Sequence, residues 1–407
     1  MRSYPLYIII LLCLLILIID VVTFYWLLSI TQLIPFSFLK ILIYIFFWLF
    51  TIGLISSIIF LKVNLNAFNP HRKQLITSWL YGLVISSLIP KLIFIIFSTI
   101  ISITNTFLSD AVSLIVVSFM GLFAGFLPFF IIVYSIFRAL YRFKTHKVTI
   151  RFKKLENDLE GLKIVHISDL HLGSFNFRYH ILDRAILTIN ELKPDFIFFT
   201  GDLVNNYAWE LKGWSTVFKQ LKATTGKFAV LGNHDYGDYS SWKSKKAKLT
   251  NQEILHYFYK KIDFKLLLNE ADIVNFKNTN IAIVGVENWG LPPFKQYGDL
   301  QKALTNVPKG LFKILLSHDP SHWSKEVLEE TDIALTLSGH THGMQAGISI
   351  KSKKWSPIKY KYKHWAGLYK IKQQYLYVNR GLGWLGYPGR LGMRPEITCI
   401  TLKKKII

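Results

Sequence analysis

The chain has 407 residues, 51% of them hydrophobic, with 48 Lys/Arg against 25 Asp/Glu and a formal net charge of +23, a length that suits about two or three folding units at roughly 150 residues each. Two cysteines, Cys13 and Cys399, exclude a disulfide framework and a thiolate metal site. Up to residue 137 there are six Lys/Arg and two Asp, which leaves a surplus of +19 in the remainder; such a field favours anionic partners, among them nucleic acid, acidic headgroups and phosphorylated substrates, without choosing among them.

The first 137 residues are predicted to be a transmembrane domain. Apolar stretches at 6–28, 41–61, 75–101 and 112–137 each exceed the ~20 residues a helix needs to cross the hydrocarbon layer. The first is longer than a signal-peptide core and no small-x-small cleavage site follows it. Arg2 precedes the first stretch; Lys62, Arg72 and Lys73 separate the second and third; Arg138, Arg142, Lys144 and Lys147 follow the fourth, while the other two connections hold only Lys40 and Asp110. That asymmetry predicts a multi-pass protein of the inner membrane with both termini, and the soluble domain, on the cytoplasmic side. Asp20 and Lys91 are charges inside spans, at similar depth on antiparallel helices, and are candidates for a functional pair. Ser86, Ser87, Pro90, Gly121, Gly125 and Pro128 read as marks of close helix packing.

Residues 138–155 read as a basic juxtamembrane linker and 156–407 as one α/β domain. Short apolar runs at 163–168, 196–200, 228–231, 281–286, 314–317 and 333–337 are predicted strands, and 179–193 is a predicted helix closed by Pro194. Alternation of such elements predicts a largely buried sheet. The Lys-rich stretch and helical pattern at 242–263 read as an excursion at the domain rim.

The predicted strands end on chemistry. Ser168-Asp169-Leu170-His171, Gly201-Asp202, Gly232-Asn233-His234-Asp235, Ser317-His318-Asp319 and Gly339-His340-Thr341-His342-Gly343 each follow one, and in α/β sheets the loops beyond the carboxyl ends of strands converge on a crevice. Asp, Asn and His without Cys suit Mn, Fe, Zn or Mg. Seven such ligands are too many for one ion with an open position. A pair of ions about 3.5 to 4 Å apart, sharing a carboxylate, would use them all and could clamp the attacking and leaving oxygens of a phosphoryl displacement. His166, inside the first strand, reads as a hydrogen-bonded core residue.

These five segments, in order, resemble the motifs of the calcineurin-like metallophosphoesterase superfamily over about residues 160–402. Gly343-Met344-Gln345, Trp365-Ala366-Gly367-Leu368-Tyr369, Asn379-Arg380-Gly381-Leu382-Gly383 and Arg394-Pro395-Glu396-Ile397 resemble the closing signature of its bacterial membrane-associated branch. The resemblance implies an α/β/β/α sandwich of two mixed sheets. It also implies two divalent ions per chain, manganese favoured: one held by Asp169, His171, Asp202 and His342, the other by Asp202, Asn233, His318 and His340. Asp202 would bridge them, His234 would contact the phosphate and protonate the leaving oxygen with Asp235 orienting it, and an ion-activated hydroxide would attack phosphorus. Asn205 stands where purple acid phosphatases of this superfamily carry a tyrosine, which argues against an iron-tyrosinate centre. Met344 replaces a glycine frequent in the branch and removes no ligand.

The implied enzyme is a phosphodiesterase or pyrophosphatase, and the anchor suits a lipid-linked substrate at the cytoplasmic leaflet. Lys351, Lys353, Trp355 and Trp365, in a stretch of lysines interleaved with aromatics, are candidates for substrate or membrane contact. A soluble nucleotide substrate with the spans as a tether is the alternative. A non-enzymatic receptor or nucleic-acid-binding role fits poorly with a full set of costly buried ligands, and oligomeric state is not legible.

Overall fold

The computed structural model describes residues 5–64, 67–108, 114–350 and 353–405. Arg2, Asp110, Val112 and Lys351, which carry parts of the expectations above, lie outside the described residues. The chain divides into two units, Met1–Arg138 with Gly386–Gly389, and Ala139–Leu385 with Arg390–Ile407.

In the first unit four helices form where the four apolar stretches lie: α1 (Leu6–Thr31), α2 (Ser37–Val63), α3 (Pro70–Leu108) and α4 (Leu114–Phe137). Only 17–28% of the residues in their most apolar windows are buried within the protein, and side chains such as Leu14, Phe46, Phe60 and Phe130 point outward. A helix apolar all round with an exposed hydrocarbon surface is stable in lipid, where its backbone bonds are all internal; this is a membrane protein. Gly125 of α4 sits where an added Cβ would lie 3.2 Å from both the Pro90 carbonyl and the Phe94 Cβ of α3, so close helix approach there depends on the missing side chain.

The second unit is a sandwich. Its strands are β1 (Lys144–Phe152), β2 (Lys163–Ile167), β3 (Phe196–Phe199), β4 (Gly226–Ala229), β5 (Lys265–Leu266), β6 (Glu270–Phe276), β7 (Thr279–Gly285), β8 (Phe312–Leu316), β9 (Leu335–Ser338), β10 (Ile348–Ile350), β11 (Lys353–Trp355), β12 (Gly367–Ile371), β13 (Gln374–Val378) and β14 (Glu396–Lys404). One sheet runs β1-β14-β2-β3-β4-β5, the other β12-β13-β9-β8-β7-β6, with β10 and β11 a separate hairpin. Both are mixed: β2, β3, β4 and β5 are parallel while β14 is antiparallel to β2, and β7, β8, β9 and β13 are parallel between antiparallel edges β6 and β12.

The two-residue period of a strand sorts side chains to opposite faces. Ile164, Phe196, Phe198 and Phe228 of the first sheet meet Ile281, Ile283, Ile314, Leu316, Leu335 and Leu337 of the second. Val165, Ile167, Ile197, Phe199 and Ala229 face outward onto α5 (His180–Glu191), α6 (Ser215–Phe218) and α7 (Lys245–Lys261). Val284, Leu315, Leu376 and Val378 of the second sheet pack on α8 (Leu300–Leu304) and Trp323. Strands buried on both faces read as continuous apolar runs, which is why they were visible in the sequence.

Two expectations are corrected. Residues 144–152 are not linker: they form β1, in parallel register with β14. Ile150 and Phe152 point into the core while Lys147, Thr149 and Arg151 stay exposed, so the basic character is one face of an edge strand, where lysines also discourage pairing with other chains. The 242–263 segment is more than a rim excursion, because Leu255, Phe258 and Tyr259 of α7 are buried in the core beneath the first sheet.

Candidate metal centre

The candidate residues follow β2, β3, β4, β8 and β9 at one end of the sandwich. To aim side chains back over the strand ends, the backbone leaves the extended region abruptly: Asp169, His171, Asp202, His340 and His342 all have φ between 48° and 69°. Non-glycine residues rarely adopt this left-handed region, at a cost of order 1–3 kcal/mol each, and such strain collects at functional sites. Gly339 permits one of these turns, since a Cβ there would collide with Ser168 Oγ and the Asp169 carboxylate. The carboxylate in turn accepts the His340 amide at 3.0 Å.

Asp169, His171, Asp202 and His342 offer ligand atoms that all lie within 4.8 Å of one another. His171 Nε2 is 3.1 Å from His342 Nε2 and 3.4 Å from Asp202 Oδ2, and His342 Nε2 is 3.3 Å from Asp169 Oδ1. Beside this group lies another built around the same Asp202 oxygen. His318 Nε2 is 3.3 Å from Asp202 Oδ2 and 3.1 Å from Asn233 Oδ1, and His340 Nδ1 is 2.8 Å from Asn233 Oδ1 and 3.2 Å from His318 Nε2. The structure thus gathers seven residues from five loops into two adjoining clusters with Asp202 Oδ2 in common. His318 Nδ1 donates to the Thr200 carbonyl at 2.6 Å, which turns the lone pair of Nε2 inward, the usual way a ligand imidazole is oriented.

Burial sets the electrostatics. It raises the Asp169 carboxyl to about 7, helped by the Asp202 charge. Burial also pushes Asp202 upward, but the His318 and His234 rings outweigh it and hold that carboxyl well below its ordinary range. His171 and His340, desolvated, fall to about 3 and 4, and His342 is likewise depressed by burial and by His171. Burial would lower His318 too, but the Asp202 and Asp169 carboxylates outweigh it and raise that ring to about 10, so the cluster draws positive charge toward its two carboxylates, the demand a bound cation would meet. This oxygen and nitrogen donor set fits hard and borderline divalent ions.

His234 is half-buried beside the first cluster, its ring centroid 5.0 Å from that of His171. Its amide donates to Asp202 Oδ1 at 2.8 Å, and its Nδ1 donates to the Asn205 carbonyl at 2.8 Å. The orienting group expected for it was Asp235, and this is a correction: Asp235 instead accepts the amides of Asp202, Leu203, Val204 and Gly232 at 2.8 to 3.2 Å. A fully buried carboxylate is best used where four backbone donors converge. Glu210 does the same one turn further on, accepting from Gly173, Asn205, Asn206 and Tyr207, although burial still raises it to about 7. His166 lies in the core with Nε2 2.9 Å from Thr200 Oγ1.

Of the candidate contact residues, Lys353 is exposed and Trp355 is 43% exposed, but Trp365 is 5% exposed and cannot serve as a surface anchor. It packs with Tyr362, Ala366 and Met393 while its carbonyl accepts from Thr341 Oγ1 at 2.7 Å, so it braces the turn between His340 and His342. In the first unit, Lys91 Nζ lies 2.7 Å from Asp20 Oδ1, and Thr51 Oγ1 donates to Asp20 Oδ2.

Several groups at the site gave no signal in the sequence. Tyr239 OH accepts from Asn233 Nδ2 at 2.9 Å, Tyr362 OH is 2.8 Å from His340 Nε2, and Phe294 meets His340 edge-on at 4.9 Å. They come from separate loops with no motif spacing. Arg390, fully buried, donates to the carbonyls of Arg380, Gly381, Gly383 and His342, and the loop it ties returns Gly383 N to the Asp169 carbonyl at 2.8 Å. A lone arginine between glycines could have been flagged only by its neighbours in the closing signature.

Residues 162–344 match the family model described as calcineurin-like phosphoesterase, and residues 1–140 match one described as probable calcineurin-like phosphoesterase, transmembrane domain. The metallophosphoesterase YkuE of Bacillus subtilis is 32% identical over 267 residues, which cover 64% of this chain and 85% of that protein. The transmembrane protein with metallophosphoesterase domain of Danio rerio is 32% identical over 283 residues, 67% of this chain but only 60% of its own length. The phosphodiesterase YaeI of Escherichia coli is 29% identical over 257 residues, 62% of this chain and 86% of that protein.

Proposed function

This chain belongs to the calcineurin-like metallophosphoesterases, a membrane-anchored member with a candidate metal site, and on that premise we propose that it uses two divalent ions, manganese favoured, to hydrolyse a phosphodiester or pyrophosphate bond of a lipid-linked substrate at the cytoplasmic leaflet. The observation that carries the proposal is the pair of donor clusters sharing Asp202 Oδ2. One ion would rest on Asp169, His171, Asp202 and His342, the other on Asp202, Asn233, His318 and His340. When bound, such a pair supplies Lewis acidity that makes a water nucleophilic at neutral pH and neutralises phosphate charge.

The protein's own part is positioning and proton movement. Because His234 Nδ1–H is committed to the Asn205 carbonyl, Nε2 is the atom left to hand a proton to the leaving oxygen. The phenols of Tyr239 and Tyr362, held against Asn233 and His340, place two hydroxyl groups at the edge of the second cluster, where a phosphoryl group would approach. Lys361, whose Nζ lies 5.3 Å from the Phe294 ring and 5.5 Å from the Tyr362 ring, adds positive charge at the rim. A lipid-linked substrate is favoured by four spans, more than a tether needs, and by the basic and aromatic surface around exposed Trp355 and Tyr360.

The test is hydrolysis of bis(p-nitrophenyl) phosphate and p-nitrophenyl phosphate by full-length protein with Mn, Mg, Zn or Fe, beside His234→Ala. Diester turnover is expected only with metal, and His234→Ala should lower kcat by about 10²–10⁴-fold while bound metal is unchanged. Wild-type kcat in the variant would remove the proton role, and failure with every metal would remove the phosphodiesterase reading. For the substrate, a lipid pyrophosphate should be cleaved faster than its lipid-free head; the reverse order would favour a soluble substrate.

A further inference from the structure

Behind the second donor cluster lies a carboxylate that the proposed mechanism does not use. Asp319, the residue after His318, is 1% exposed. Its Oδ1 accepts the Ser321 amide at 2.8 Å and Ser321 Oγ at 2.6 Å, which closes a turn. Its Oδ2 takes no part in that turn. Among the described residues this oxygen has no hydrogen-bond partner, and Gly290 closes over it, since a Cβ there would lie 2.8 Å away. Buried polar atoms are nearly always paired, and a charged one left unpaired is costly, so its position calls for a reason. Oδ2 lies 3.4 Å from His340 Nε2. That is the side of the ring turned away from the cluster, because Nδ1 is the atom 2.8 Å from Asn233 Oδ1 and 3.2 Å from His318 Nε2. Tyr362 OH already takes the hydrogen-bonding direction at Nε2, at 2.8 Å; what Asp319 adds is charge.

We propose that Asp319 is a positioning residue for the second ion, supplying through the His340 ring the negative charge that this cluster's own donors lack. The inference rests on the two-ion reading above. The first cluster holds two carboxylates, Asp169 and Asp202, whereas the second shares Asp202 and adds only Asn233, His318 and His340, each neutral as a ligand. A carboxylate behind an imidazole keeps the ring's hydrogen on the far nitrogen and makes the near nitrogen a stronger donor. Here that places the hydrogen on Nε2 and the lone pair on Nδ1, the atom facing the cluster. In a buried site the charge is little screened by water or salt. The turn to Ser321 holds the carboxylate in place, so no side chain has to leave solvent when the ion arrives.

The test is manganese titration of the full-length protein, with free Mn read by electron paramagnetic resonance and filling of the second cluster by the exchange-coupled signal that only a Mn pair gives. Wild type should take two ions per chain; a single ion would remove the two-ion reading and this inference with it. Asp319→Asn keeps the size and the turn but removes the charge. It should weaken the second binding step about 10–100-fold while the first moves less than about twofold. An unchanged second step, or equal loss at both steps, would overturn the role of Asp319 and leave the two-ion reading standing. Ser321→Ala cuts one hydrogen bond to Oδ1 and spares Oδ2, so both steps should stay as in wild type. If it reproduces the Asp319→Asn loss, the turn and not the charge is responsible, and the inference fails. Because the charge acts through the ring, Asp319→Asn should add little in a His340→Asn background, where Nε2 is gone; a full loss there would refute it. Asp319→Ser, whose hydroxyl can still accept the Ser321 amide, removes the charge with a different side chain and should weaken the second step equally, so the inference does not hang on one variant folding.

Discussion

Asp202→Asn is expected to reduce diester hydrolysis by about a thousandfold or more and to lower bound metal, measured by elemental analysis of protein purified in parallel with wild type. Asparagine matches the carboxylate in shape and can still accept the His234 amide that Asp202 Oδ1 receives at 2.8 Å. What it removes is the negative oxygen that lies 3.4 Å from His171 Nε2 and 3.3 Å from His318 Nε2, the atom common to both clusters. Loss of several kcal/mol of charge stabilisation corresponds to that factor at about 1.4 kcal/mol per decade. Each cluster keeps three other donors, so metal content should fall further for the cluster that ends with one carboxylate fewer and only neutral ligands, the one with Asn233, His318 and His340. Near-normal turnover by the variant would show that the two clusters do not act as one centre.

Much of this site could be read in the sequence because each of its parts sits at a strand end. A buried parallel strand is a run of apolar residues, and a run such as Phe196–Phe199 followed by Gly201-Asp202 has no packing reason to end on a charge. The period-2 signal of β1 was equally present, yet Lys147 and Arg151 on its exposed face, with Lys144 at its start, made it look like a linker. Its partner β14 lies far along the chain, Lys144 pairing with Glu396 and Phe152 with Lys404, and pairing over that distance leaves no local trace. The same holds for Asp235 and Glu210. Asp235 was expected to orient His234 and Glu210 carried no motif, whereas the fold spends both on backbone amides of the 201–207 turn, donors whose direction depends on left-handed residues that only the folded chain reveals. Trp365 misled for a different reason: an amphipathic aromatic among lysines suits both a membrane interface and a small satellite core, and the composition of the segment does not separate the two.

Glu396→Gln is expected to cost about 3–5 kcal/mol of stability in the second unit, because it leaves Arg380 buried without its counter-charge. Glu396 is fully buried, its Oε2 pairs with Arg380 Nη1, and its Oε1 accepts from Tyr377 OH at 2.5 Å and Thr398 Oγ1 at 2.7 Å. Burial pushes this carboxyl up, but the Arg380 guanidinium and its hydrogen bonds outweigh that and lower it from 4.5 to about 2. A depressed carboxyl contributes stability that is present above its ordinary value and lost as pH falls through the folded one. The gap in urea midpoint between wild type and Glu396→Gln should therefore be constant above about pH 5 and close as the pH falls from 4.5 toward 2; a gap independent of pH in that window would refute the charge-pair account. The consequence reaches the metal centre, since the Glu396 amide donates to the Gly381 carbonyl at 3.0 Å, and Leu382 and Gly383 donate to the carbonyls of Ser168 and Asp169 at 2.9 and 2.8 Å. Loosening the pair releases the strand of backbone that holds Asp169 in its left-handed turn, so the variant should bind metal more weakly even at pH 7, where the protein remains folded.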